Sequence, residues 1–140
     1  MSSLIIGIDP DLEKSGIAIL GNDLQLKNMT FPEIVDLFRE NRDQIKTVVI
    51  EAGWLNKKSN FHGAYCQSKR AGEAIARNVG ENHATGKKLV EMARYYDLEV
   101  LEVRPTKTKK TAEQFNKITG WVGRTNQEVR DAAMLIWGMK

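Results

Sequence analysis

Cysteine is almost absent from this sequence: Cys66 stands alone among 140 residues, so no internal disulfide can staple the chain. Histidine is nearly as scarce, with only His62 and His83, and no Cys/His spacing suited to zinc occurs. No run approaches the roughly 20 apolar residues that a membrane-spanning helix requires. The opening stretch, MSSLIIGIDP, lacks a basic start and a long apolar centre, so no signal peptide is expected. Repeats and low-complexity segments are missing too. These absences argue against a disulfide scaffold, a zinc module and a membrane partner, and they suit a reducing, cytoplasmic compartment.

What is present is an ordinary globular composition, 41% hydrophobic and 28% charged, in a length suited to one domain over residues 1–140. The net charge of +3 hides an asymmetry. Residues 1–50 carry 5 Lys/Arg against 8 Asp/Glu, whereas residues 51–140 carry 16 against 10. A basic second half suits an anionic partner such as nucleic acid, although many solvated surfaces share this pattern.

Apolar runs at 4–9 and 15–20, parted by the turn residues Pro10 to Lys14, predict a β-hairpin. A shorter third strand is expected at 24–29. Pro32 opens a helix in which Ile34, Leu37 and Phe38 fall at helical spacing up to about Asn41. Residues 47–50 form a short apolar strand ending on Glu51. A helical stretch follows from about Ala64 to Tyr96, where Gly72, Gly80 and Gly86 leave open one kinked helix or two. A strand at 98–103, a short helix around 111–117 and a last helix at about 126–139 complete the chain. Three leading strands and then strand–helix alternation predict an α/β fold with a mixed five-stranded sheet flanked by helices. That element order is RNase H-like, and actin-like ATPase domains open in the same way.

Two apolar strands end on carboxylates, Asp9 and Glu51. A buried, unpaired charge costs several kcal/mol or more, so these positions need a reason. Asp9 alone reads equally well as a turn residue before Pro10, but Glu has no special turn role. On the last helix Glu128 and Asp131 lie three apart on one face, beside the small residues Ala132 and Ala133. Thr125 to Glu128 also matches a capping box, in which Glu128 would bond back to the Thr125 amide. Together Asp9, Glu51, Glu128 and Asp131 form an all-oxygen set suited to Mg2+, with Mn2+ as a substitute. Two such ions per site, roughly 3.5–4 Å apart, are the usual machinery of phosphodiester hydrolysis. No small-molecule cofactor is expected.

Basic residues cluster twice. Lys57, Lys58, Lys69 and Arg70 surround the aromatic residues Trp54, Phe61 and Tyr65, whereas Arg104, Lys107, Lys109, Lys110 and Lys117 follow the 98–103 strand. Both clusters suit phosphate contacts, and Lys107 and Lys110 are candidates for stabilising charge on a scissile phosphate. His62, His83 and Cys66 suggest no role.

The motifs GIDPDLEKSG and EVRDAAMLIWG, with Glu51 and the Gly80-bearing helix between them, resemble RuvC-type Holliday junction resolvases, particularly short phage-like versions. The resemblance spans Leu4 to Gly138. It implies an RNase H-like homodimer that nicks two like strands of branched DNA, acting in a bacterial cytoplasm or, if phage-encoded, in that of the host. It carries metal-ligand roles onto Asp9, Glu51 and Asp131. Glu128 stands where the family usually has His or Asp, and Asp11 where it commonly has Gly. The resemblance also implies that Trp54, three residues after Glu51, stacks on bases near the junction centre; packing in the core or a dimer interface is the other reading of this tryptophan. An actin-like ATPase would need a second glycine-rich phosphate loop, which the sequence lacks, and a non-catalytic binding module would have little use for four acidic positions facing phosphate.

Overall fold

In the computed structural model, which describes residues 3–56, 69–106 and 108–139, the leading strands are β1 (Leu4–Asp9), β2 (Ser15–Leu20) and β3 (Leu24–Met29). The middle one, β2, pairs antiparallel with both β1 and β3. Helix α1 (Phe31–Glu40) then returns the chain to β4 (Ile45–Glu51), which runs parallel to β1 on its other side. The start of α1 is fixed by Thr30 and Glu33, whose side chains bond reciprocally to each other's amides, with Pro32 in the first turn. Helix α2 (Lys69–Tyr95) leads to β5 (Val100–Val103), parallel to β4 at the sheet edge. Helices α3 (Ala112–Thr119) and α4 (Gln127–Ile136) complete the described chain. The sheet order is β3-β2-β1-β4-β5, the mixed five-stranded RNase H-like arrangement expected from the element order.

Side chains alternate across a strand, so each strand serves two cores. Ile6, Ile8, Ile17, Ile19, Val48 and Ile50 point to one face and pack with Ile34 and Phe38 of α1 and Leu89, Val90 and Ala93 of α2. Ile5, Ala18 and Val49 point to the other and pack with Phe115 of α3 and Ala132, Ala133 and Ile136 of α4. Among the described residues no helix is long and apolar enough to cross a membrane.

Several boundaries differ from the sequence reading. Residues 64–68 lie outside the described residues, and from Lys69 onward α2 is a single helix despite Gly72, Gly80 and Gly86. Tertiary packing at Thr85, Gly86, Leu89, Val90 and Ala93 outweighs the roughly 1 kcal/mol that an interior glycine costs. Strand β5 begins at Val100 because the Leu98 amide still bonds to the Ala93 carbonyl, closing off α2. Helix α4 stops at Ile136: Trp137 turns to an extended ψ of 128° and Gly138 takes a φ of 90°, so Met139 leaves the helix.

The start of α4 brings the correction that matters most for function. Its N-cap is Asn126, whose side chain accepts from the Val129 amide at 3.0 Å. Glu128 is therefore the second helical residue and does not bond back as a capping-box glutamate. Its carboxylate is not committed to capping.

Candidate active site

Strand parity decides where the carboxylates point. Asp9 shares its face with Ile5 and Gly7, and Glu51 shares its face with Val49, so both belong to the α4 side of the sheet. The parallel register pairs Ile8 with Ile50, which sets the tips carrying Asp9 and Glu51 side by side.

Helix α4 reaches these tips because the sheet beneath it is made of small residues. Gly16 pairs with Asp9 across the hairpin, and a Cβ at Gly16 would lie 2.3 Å from the Glu128 carbonyl oxygen. A Cβ at Gly7 would lie 2.3 Å from the carbonyl oxygen of Ala132. With no side chain at either position, the helix backbone rests almost directly on the strands. Glu128 and Asp131 thereby join Asp9 and Glu51.

The electrostatics follow from this crowding. Burial, and then the neighbouring charges of Glu51, Asp131 and Glu128, push the Asp9 carboxyl from its ordinary 3.8 up to about 8, against the opposing pull of Lys109. Burial also raises Glu51, opposed by Lys109 and reinforced by Asp131. Burial pulls Lys109 down, but its bond to Asp131 and the charges of Asp131, Glu51 and Asp9 outweigh that and hold it above its usual range. The Lys109 Nζ sits 2.6 Å from Asp131 Oδ2, whose side chain is only 10% exposed. Gln127 Nε2 donates to the other oxygen, Asp131 Oδ1, at 2.7 Å.

Among the described residues, two clefts meet at Glu51. One, about 280 Å³, opens toward α2 and is lined by Asp9, Glu51, Trp54, Asn82 and His83 among others. The second, about 350 Å³, opens toward α4 and is lined by Glu51, Thr108, Lys109, Lys110 and Asp131.

Among the described residues no three His, Cys, Asp or Glu side chains are gathered as a ready-made metal cage, and Asp131 is turned to Lys109 and Gln127. The chemistry nevertheless fits. Four carboxylates favour a hard cation, and such a cation would relieve both the burial and the mutual repulsion that raise Asp9.

Trp54 lies in a short 3-10 turn (Gly53–Leu55), half-buried against the α2-side core. Its Nε1 donates to Glu102 Oε1 at 3.1 Å, and Arg94 in turn holds Glu102 at 3.4 Å. The ring packs on Gly86, where a Cβ would lie 2.5 Å from Cζ3, and stands edge-to-face with His83 at 6.1 Å. The indole is thus both packed and part of the cleft wall.

The basic residues divide. Lys57, Lys58 and Lys107 lie outside the described residues, as do Phe61, His62, Tyr65 and Cys66. Lys69 and Arg70 are exposed on the first turn of α2, and Arg104 is exposed just after β5. Lys117 pairs along α3 with Glu113 at 3.7 Å. Lys110 lines the α4-side cleft, but among the described lysines it is Lys109 that bonds to a carboxylate of the cluster.

Other contributors escape sequence reasoning. Asn82 accepts from the Leu12 amide at 3.0 Å and pins the β1–β2 turn, a contact across 70 residues with no local signal. Arg130 donates to the Lys110 carbonyl at 3.0 Å and to both the carbonyl and hydroxyl of Thr125. For Gln127 the signal was available: it stands four before Asp131, so the two share a helix face.

The sequence matches no protein-family model, and no curated protein matches it. Among solved structures, it is similar to Thermus thermophilus RuvC in complex with a Holliday junction substrate, at 11% identity and a TM-score of 0.55 over 95% of this chain and 89% of that one. A second structure of Thermus thermophilus RuvC also has a TM-score of 0.55, at 14% identity over 94% of this chain and 90% of that one. At such identities the likeness establishes the fold, which is RNase H-like and shared along nearly the whole of both chains.

Proposed function

We propose that this chain is a divalent-metal-dependent endonuclease that resolves four-way or other branched DNA. The observation that carries the reading is Asp9: a carboxyl at a strand tip, pushed to about 8 by burial first and then by Glu51, Asp131 and Glu128, makes structural sense as half of a cation site. The fold likeness to a RuvC solved with Holliday junction DNA supports the choice of substrate.

In this reading Asp9, Glu51 and Asp131 hold Mg2+, or Mn2+ in its place, with two ions per site. Glu128, released from capping by Asn126, is the fourth ligand. The bound ions supply Lewis acidity for phosphodiester hydrolysis. The chain itself supplies position and countercharge. The glycine-backed contact of α4 with β1 and β2 fixes the ligand spacing, and the pinned β1–β2 turn holds Asp9 in place. Lys109, Lys110 and Arg104 neutralise phosphates beside Glu51, with Lys69 and Arg70 on the first turn of α2 as further phosphate contacts; Lys57, Lys58 and Lys107 keep that role on their sequence alone. Trp54, held by Glu102 and His83 at the cleft wall, offers its remaining ring surface to a base. The active form is a homodimer that nicks two like strands, in a bacterial cytoplasm or as a phage product in the host's, serving DNA recombination and repair.

The test is a cleavage panel of four-way junctions, forks, flaps, linear duplex and RNA–DNA hybrid with Mg2+, Mn2+ or EDTA. Paired nicks in the four-way junction, lost in EDTA, are expected. Equal rates on linear duplex or hybrid would reduce the reading to a nuclease of broader specificity. Junction binding without cleavage would make the chain a non-catalytic module.

A further inference from the structure

Lys109 stands out within the cluster because it is bonded to one of the proposed ligands. Its Nζ lies 2.6 Å from Asp131 Oδ2, while Gln127 occupies Oδ1 at 2.7 Å. Both oxygens of Asp131 are therefore engaged by donors. An ammonium 2.6 Å from Oδ2 would lie beside any metal ion bound at that oxygen, and the two cations would repel. Lysine and metal compete at Oδ2.

The backbone around Lys109 is anchored independently of its side chain. The neighbouring Lys110 carbonyl accepts from Arg130 Nε at 3.0 Å and from Gln127 Nε2 at 3.4 Å. Arg130 is itself fixed to Thr125 through two further bonds. The Lys109 side chain, in contrast, is half exposed at 50%, with a flexible four-carbon stem. A rotamer swing of that stem frees Asp131 without moving the segment. The released ammonium then remains in the cleft that Thr108 and Lys110 also line.

We infer that Lys109 is the site's built-in counter-cation. It holds the carboxylates together in the metal-free chain, leaves Asp131 when a divalent ion binds, and is thereby handed to the DNA phosphate. Metal loading and the arming of a phosphate-binding lysine become one exchange of cations. This rests on the reading of Asp9, Glu51 and Asp131 as metal ligands.

The test is calorimetric titration of Mg2+ and Mn2+ into the full chain as wild type, Lys109→Met and Lys109→Arg, with melting curves in EDTA and in saturating Mg2+. Lys109→Met is expected to bind metal about tenfold tighter or more, because a unit charge near the ligands is gone. It should melt below wild type in EDTA and above it in Mg2+. Lys109→Arg, whose planar fork grips Asp131 more firmly, is expected to bind metal several-fold more weakly, and it serves alone if the Met variant does not fold. Wild type that binds metal with an affinity neither substitution changes in these directions overturns the exchange and leaves the metal site standing. Absence of metal binding in all three proteins overturns the metal-ligand reading, and this inference with it.

Discussion

On the α1/α2 face the sheet meets a thick layer of large side chains, with Ile6, Ile8, Ile17, Ile34, Phe38, Ile50 and Leu89 all fully buried. On the α4 face it meets Gly7, Gly16, Ala18, Ala132 and Ala133, and the helix backbone lies where side chains would otherwise be. The first face gains stability from apolar volume, whereas the second, although it holds Phe115 and Ile136, uses little volume where α4 crosses Gly7 and Gly16 and there sets distance. The four proposed ligands belong to the second. A thick layer accommodates change by repacking, but a backbone-on-backbone contact has nothing flexible to yield. The chain thus separates the part that keeps it folded from the part that sets ligand geometry.

That contrast can be broken by substitution. Phe38→Ala should cost about 3–5 kcal/mol in urea unfolding, while junction cleavage by the remaining folded protein stays within a few-fold of wild type. Gly16→Ala should cost a similar amount, about 3 kcal/mol, because its Cβ would meet the α4 backbone. The cleavage rate of the protein that remains folded should in addition fall by about 100-fold, as α4 is lifted from Asp9. If the two variants lose stability and activity in the same proportion, the division between the faces is wrong.

Asp9→Asn sharpens the comparison from the electrostatic side. In the metal-free protein the folded chain keeps the Asp9 proton up to about 8, whereas the unfolded chain loses it near 3.8. The unfolded state therefore binds fewer protons across this window, and stability must fall as pH rises from about 4 to 8. The Asn variant should lack that slope and exceed wild type by about 1–2 kcal/mol at pH 8 in EDTA, while losing cleavage. Melting curves from pH 5 to 9 decide it. The smallest effect is expected for Asn126→Ala, about 1 kcal/mol from the lost helix cap, with a few-fold drop in cleavage because the first turn of α4 carries Glu128. Urea titration and single-turnover cleavage measure the two.

Much of the fold is readable from local pattern. Continuous apolar runs mark β1 and β2, Pro32 and the spacing of Ile34, Leu37 and Phe38 mark α1, and the strand-end carboxylates mark the two tips that become neighbours. What local pattern misses is set by distant partners. Gly80 and Gly86 suggest a break in α2, yet Gly86 is where Trp54 packs, a contact visible only in three dimensions. Thr125 and Asn126 are both good caps, and Asn126 is the one that bonds to the Val129 amide. The lysines after β5 differ little in sequence; which one meets Asp131 depends on how Arg130 and Gln127 hold the Lys110 backbone.

The register of β1 carries a consequence for how such a chain tolerates insertions and deletions. Its pairing with β4 slips between Leu4 and Ile5, so a length change there falls where the ladder is already irregular. Beyond Ile5 the ladder is unbroken to Ile8. One residue gained or lost in that stretch would turn the Asp9 side chain through the sheet, away from Glu51 and toward the layer that holds Ile8. Lineages of this protein should therefore vary in length before Ile5 and keep a fixed count from Ile5 to Asp9.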